Sequence, residues 1–390
     1  MKNILITSFA YYPQTSGVPI VTTYLAEGLA NRGYKVTVAT RLNGNDFPSE
    51  EFINGVRVVR FNIAENIIKQ DVGDVEGFVN FVKKTPKDLL ILEFLQSQTS
   101  KILLPHLEGM NCKVLVQSHG SQGLYMKPFA WLGDLKHSVA NVHNWYRWKK
   151  YYHYTIPRYS NYIDGGICLS VGSTDLCYYS KTFKHTFILE NAADDIFFNE
   201  NLYNSVDVQK QFGLKNKNYL VYIANYDDNK NQIGLIEQFC RIKQDGLSLV
   251  LIGSNVDNFT RKIQSYASKI SKDTGKDIRV FTGIERKFFP AILHNASLFV
   301  MTSKTEEFPV TLVEAMATGL PFVSTNVGNT RVLPGGVCVK SIDDIPCVVE
   351  TILSDSEIRN RLSNAGYKYT RENNTHSKAI DKLETIINKI

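Results

Sequence analysis

The chain has 390 residues, more than one ordinary hydrophobic core accommodates, and its 43% hydrophobic content is enough to fill two. Forty-four Lys and Arg against thirty-eight Asp and Glu give a net charge of +6, which suits anionic ligands or an anionic surface without requiring either. Six dispersed cysteines with no CxxC pair exclude a disulfide framework and a Cys-based zinc site, and no stretch of about 18 uncharged apolar residues offers a membrane span. The composition predicts a soluble protein of a reducing compartment.

The first elements alternate strand and helix. Ile4 to Ile6 reads as a short buried strand and Pro13 to Gly17 as a turn-rich loop. Val21, Leu25 and Leu29 fall on one face of a helix that Gly33 stops, and Val36 to Ala39 is the next strand. This βαβ unit predicts a parallel sheet with helices on its faces. Further strands are expected at Val56 to Phe61, Leu89 to Leu92, Val114 to Gln117, Gly166 to Leu169 and Phe187 to Leu189. The polar, Asn-rich stretch from Asn191 to Lys217 places a domain boundary near residue 200.

The same grammar then restarts. Strands are predicted in NYLVYI, LSLVLIG, IRVFTG, ASLFVM and LPFVST, separated by polar loops and helices, and the stretch from Ile345 to Ile390 is rich in helix formers. The expected division is 1–200, 201–370 and a tail, 371–390, that leans back on the first domain.

Residues 302–328 carry the densest chemistry. A strand ends near Thr302, a loop holds Glu306 and Glu307, and a helix begins near Val310 with Glu314 about one turn in. Free N–H groups at that helix start suit a phosphate, and the C-terminal edge of an open α/β sheet is where ligands bind. Two readings stand on the residues alone. Glu306 and Glu314 converge on one ligand, or they are a capping and a solvated carboxylate. Glu314 lies among apolar neighbours in TLVEAMA, so it needs a partner, and ribose hydroxyls qualify.

Glu306, Glu314, Ala315, Met316, Ala317, Gly319 and Pro321 resemble the signature of the retaining glycosyltransferases of the GT-B fold, family 4 type (glycosyl transferases group 1), which include bacterial sugar-chain and glycolipid synthases. The resemblance implies an α/β fold of two facing Rossmann-like domains with parallel sheets, an N-terminal acceptor domain, a C-terminal nucleotide-sugar domain and a last helix crossing back to domain one. It implies that Glu306 contacts the donor sugar, that Glu314 holds the ribose, and that Phe308, Pro309 and Val310 present backbone N–H groups to sugar and diphosphate. Glu307 stands where the family usually has Gly.

The same resemblance extends more thinly along the chain. Lys230 matches a diphosphate-neutralising Lys, while Asn225 stands where the family has Arg and brings no charge. Ser16 and Gly17 stand at a Gly-Gly turn near the donor phosphate, and His119 matches a His that approaches the transferred sugar. Ser170, Asn191, Asp194 and Phe197 resemble family landmarks near the hinge, and Ala192 replaces a Gly. Gly253, Gly283 and Gly328 fill strand-end turns, with Gly283 beside the donor base, and Arg331 and Val332 follow where an acidic residue is common.

The expected activity is metal-independent, configuration-retaining transfer from a nucleotide diphosphate-sugar, UDP-linked in first place, with Lys230, helix N-termini and loop N–H groups neutralising the leaving phosphate. Asp194-Asp195 and Asp227-Asp228 are adjacent pairs in polar loops and do not demand a metal, and no cofactor is expected. Residues 141–159 interleave aromatics with cations. Trp145, Arg147, Trp148, Lys149 and Lys150 read as an acceptor or anionic-membrane surface, or as an ordinary helix of domain one. A lipid-linked glycan or lipid acceptor is favoured over a free sugar, nucleic acid is not expected, and the protein is placed in the cytoplasm with peripheral contact at the inner membrane face. Two alternatives stay open: an inactive GT-B partner protein, which Asn225 keeps alive, and a nucleotide-sugar epimerase on the same scaffold. The sugar, the linkage and the oligomeric state do not follow from the sequence.

Overall fold

The computed structural model describes residues 2–14, 17–42, 47–66, 70–126, 135–254 and 256–390. Ser16 of the expected Gly17 turn lies outside the described residues. The chain divides into two compact units, residues 1–190 with 379–390, and residues 191–378.

The first unit holds β1 (Asn3–Ser8), β2 (Lys35–Arg41), β3 (Glu50–Ile53), β4 (Val56–Phe61), β5 (Ile63–Glu65), β6 (Asp71–Gly73), β7 (Leu89–Glu93), β8 (Lys113–Gln117), β9 (Gly165–Cys168) and β10 (His185–Ile188). Eight of them form one sheet in the order β10-β9-β8-β7-β1-β2-β4-β3, and β5 and β6 pair separately. Ile4, Leu5 and Ile6 are at most 1% exposed, as in a parallel strand covered on both faces. The helix Val18–Asn31 buries Val21, Leu25 and Leu29 at the predicted spacing. The sheet is parallel except for β3, which runs antiparallel to β4. Asn54 and Gly55, both at positive φ, make the two-residue turn between them.

The second unit holds β11 (Asn218–Ile223), β12 (Leu247–Gly253), β13 (Asp277–Thr282), β14 (Leu298–Met301), β15 (Phe322–Thr325) and β16 (Gly336–Val339), parallel throughout in the order β13-β12-β11-β14-β15-β16. Both sheets are Rossmann-like, as expected. The short strands β3, β5, β6 and β16 escape the apolar-run reading because each is exposed or half-buried at all but one residue at most, unlike the equally short but buried β9 and β14.

The division falls at residue 190 instead of 200 because the intervening segment is tied into the second unit. Asn191 Nδ2 donates to Phe308 O at 2.9 Å, Asn374 Nδ2 donates to Asn191 O at 2.9 Å, and Phe197 is fully buried. The last helix, His376–Lys389, passes from the second unit back to the first. Lys2 Nζ donates to Ile387 O at 3.2 Å, and Arg32 binds Asp381 at 2.6 Å and Glu384 at 3.0 Å. Gly28 lets the helix Val18–Asn31 approach closely, since a Cβ there would lie 2.4 Å from Ile380 Cδ1.

Candidate functional site

In the second unit the loops after β11 and β14 lie side by side because those strands are hydrogen-bonded neighbours. The first loop brings Lys230 and the second Glu306, and Lys230 Nζ meets Glu306 Oε1 at 2.5 Å. Ser303 Oγ donates to the same oxygen at 2.7 Å and lies 2.7 Å from the Tyr222 hydroxyl. Burial pushes the Tyr222 phenol well up, so it stays a neutral donor beneath the pair. The loops are stitched together by Lys304 N to Asn229 O at 2.7 Å and Thr302 Oγ1 to Lys230 O at 3.1 Å. The turn after β15 closes under Glu306 only because residue 328 is Gly. Its φ is +53°, and a Cβ would lie 2.4 Å from Glu307 O and 2.6 Å from Glu306 O.

The helix Val310–Ala317 follows Pro309, which makes no side-chain cap, so its first N–H groups keep their capacity to donate. Phe308 buries its ring, and Val310 opens the helix. Glu314, one turn in, is 0% exposed and is bound by Arg286 Nη2, while its Oε2 has no hydrogen-bond partner among the described residues. Burial raises the Glu314 carboxyl above its ordinary value, and the Arg286 guanidinium opposes this without cancelling it. Arg286 also reaches to 4.0 Å from Asp194 Oδ2 and lies 5.1 Å over the Phe197 ring. Thus Glu306 and Glu314 each hold a cation, the first from a loop that the sequence pointed to and the second from Arg286, which it did not.

Asn225 is committed to its neighbours. Its Oδ1 accepts from Ser254 Oγ at 2.5 Å and its carbonyl from Gln232 at 2.8 Å. Gly283 has φ +70° and Gly17 has φ +57°, and nothing lies within 4 Å of a Cβ built at either, so conformation rather than crowding selects Gly at both.

In the first unit β7 and β8 pair with Glu93 opposite Gln117. His119, two residues further on, puts Nε2 at 2.5 Å from Glu93 Oε2, with side chains only 5% and 1% exposed. The loop carrying His119 is fixed by Asp175, whose Oδ2 accepts from Ser118 Oγ and from Ser121 Oγ, the latter at 3.0 Å. The expected acceptor or membrane surface splits in two. On the helix Leu135–Lys150, Lys149 and Lys150 are exposed and Lys149 Nζ lies 4.9 Å over Trp145. Trp148, with Arg147 at 5.4 Å over its ring, packs against the core of the unit instead. No helix among the described residues is long and apolar enough to cross a membrane, and no cluster of three His, Cys, Asp or Glu side chains among them suits a metal ion.

The sequence reading missed Glu93, Asp175, Arg286 and Ser303. Glu93 ends an apolar strand at the ligand edge and could have been noticed there. Arg286 carries no local signal, because its partner is 28 residues away.

Residues 206–369 match the family model described as Glycosyl transferases group 1. The mannosylfructose-phosphate synthase of Agrobacterium fabrum is 30% identical over 154 residues, 38% of this chain and 34% of that protein. A probable sucrose-phosphate synthase of Thermosipho melanesiensis is 25% identical over 173 residues, and the chain spans only 41% and 34% of the length of these two relatives. Among solved structures, a sucrose-phosphate synthase from Thermosynechococcus elongatus superposes with a TM-score of 0.77 at 16% identity, covering 100% of this chain and 99% of that one. Anabaena HepE in complex with UDP-glucose superposes at 0.74 with 12% identity, covering 100% of both chains. The chain has the GT-B fold, and the match to the group 1 glycosyltransferase model falls within its second unit.

Proposed function

We propose that the protein is a retaining, metal-independent glycosyltransferase that moves a sugar from a nucleotide diphosphate-sugar to a glycan, lipid-linked glycan or lipid acceptor. The observation that carries this reading is the Lys230–Glu306 pair on the loops after β11 and β14, with the buried Glu314 on the helix that follows the second of those loops, all within the matched residues. Lys230 is 23% exposed and so able to exchange its carboxylate partner for a diphosphate. In that role it offsets the charge that grows on the β-phosphate as the bond to the anomeric carbon breaks. Glu306 takes sugar hydroxyls and Glu314 the ribose. The acceptor hydroxyl attacks from the face the phosphate leaves, and its proton passes to that phosphate. HepE, with its bound UDP-glucose, supports a UDP-linked donor. Lys149 and Lys150, exposed together, support peripheral contact with an anionic inner membrane face from the cytoplasm.

A second reading, an inactive partner protein, is favoured by Asn225, an amide held by Ser254 where a cation is expected. The test is titration of UDP-glucose, UDP-N-acetylglucosamine, UDP-galactose and GDP-mannose into the chain in a chelator, with E314A as control. Saturable binding of one donor, weakened about tenfold or more by E314A, supports the transferase. No binding of any donor to folded protein overturns it in favour of the partner. Donor consumed without an acceptor would point to an epimerase instead.

A further inference from the structure

The pair formed by Glu93 and His119 is closed from water, with side chains 1% and 5% exposed, and four features hold it. First, Glu93 is the last residue of β7, and Phe94, immediately after it, sits at φ +63°, a conformation a bulky side chain adopts only under constraint. Second, Phe94 N donates to Gln117 O at 2.9 Å, and the Phe94 ring meets the His119 ring edge-on at 6.3 Å. Third, the next two residues are clamped by consecutive tyrosines of the π-helix Tyr151–Thr155. Tyr151 OH donates to Leu95 O at 2.5 Å, and Gln96 Nε2 donates to Tyr152 OH at 2.8 Å. A π-turn is what lets two adjacent tyrosines both face inward, and both are buried. Fourth, Asp175 fixes the loop of His119 through Ser118 and Ser121.

We propose that Glu93 is a positioning residue that takes the Nε2 hydrogen of His119, fixing the imidazole's tautomer and orientation so that Nδ1 is its working atom towards substrate. This rests on the transferase reading. The ring's other nitrogen has no hydrogen-bond partner among the described residues, whereas Nε2 is committed to Glu93. Glu93 Oε1 is buried without a partner among the described residues, which costs stability and is consistent with an orienting role. A carboxylate behind a histidine fixes which ring nitrogen carries the hydrogen, and removing such a support typically lowers activity about 10–100-fold.

The experiment uses the full chain labelled with ¹⁵N-histidine, His119 being assigned by the signals lost in H119N, with E93Q and E93L as probes. In the wild type Nε2 carries hydrogen. E93Q keeps this, since its amide oxygen can accept the same bond, and retains most of kcat. E93L loses the fixed tautomer and about 10–100-fold in kcat, with the donor KM within about twofold of wild type. An unchanged His119 spectrum in E93L, an unchanged kcat in E93L, or a wild-type His119 bearing hydrogen on Nδ1 alone would each overturn the proposal. Should both variants fail to fold, the wild-type spectrum decides. It needs no donor, so a chain that binds no nucleotide-sugar sinks the transferase reading while leaving the role of Glu93 measurable.

Discussion

The two units share one plan, a largely parallel sheet with a carboxylate paired to a nitrogen-bearing side chain near its C-terminal edge, yet they treat those pairs differently. In the second unit the cations remain partly open, Lys230 at 23% and Arg286 at 28% exposed, over carboxylates at 13% and 0%. In the first unit both members are closed, His119 at 5% and Glu93 at 1%. A half-open cation can change partners when an anion arrives, because water and ligand both reach it. A sealed acid–histidine pair can only hold an orientation. The same sheet edge therefore supplies an exchangeable charge in one unit and a fixed aim in the other.

The sharpest way to break this comparison is to remove the exchangeable charge. K230A is expected to lower kcat for sugar transfer by about 100-fold or more while leaving the melting temperature nearly unchanged, measured by initial rates and calorimetry. If Lys230 is merely structural, the rate survives. Gly328→Ala tests the support beneath Glu306. The added Cβ meets backbone carbonyls at 2.4 and 2.6 Å at a positive φ, so a loss of about 2 kcal/mol in unfolding free energy is expected, with weakened donor binding in titration calorimetry.

A pH series sharpens the contrast from the other side. Burial raises the Glu314 carboxyl, so the folded protein holds that proton more tightly than the unfolded chain does. The resulting stability is complete below the ordinary carboxylate range and is lost as pH rises to the raised folded value. E314Q, which does not titrate, should therefore gain on the wild type as pH rises from about 4 and then run parallel to it, in denaturant midpoints taken across pH. The smallest effect is expected at the open helix surface. K149Q/K150Q should weaken binding to vesicles of anionic lipid by about fivefold per residue, with no measurable change in stability.

Much of the fold was legible because buried parallel strands read as uninterrupted apolar runs. Ile4 to Ile6, Leu89 to Leu92 and Val114 to Gln117 all lie within strands of the main sheet. The β3–β4 hairpin was passed over: Asn54-Gly55 is its only local signal, and β3 itself alternates exposed and half-buried residues and gave no apolar run. At the site, the spacing of Glu306 and Glu314 was visible since both lie on one loop-and-helix segment. Lys230 was visible as a cation at a strand end.

By itself the sequence determined the two Rossmann-like sheets, the transferase-like block and the positions of the loops that carry Lys230, Glu306 and His119, because these depend on local period and on residues close in the chain. Only the tertiary structure decided which polar side chains meet. Arg286 reaches Glu314 across 28 residues, Lys230 reaches Glu306 across 76, and Glu93 reaches His119 across 26. Those encounters follow from strand order and register, which set neighbours in space and leave no periodic trace along the chain.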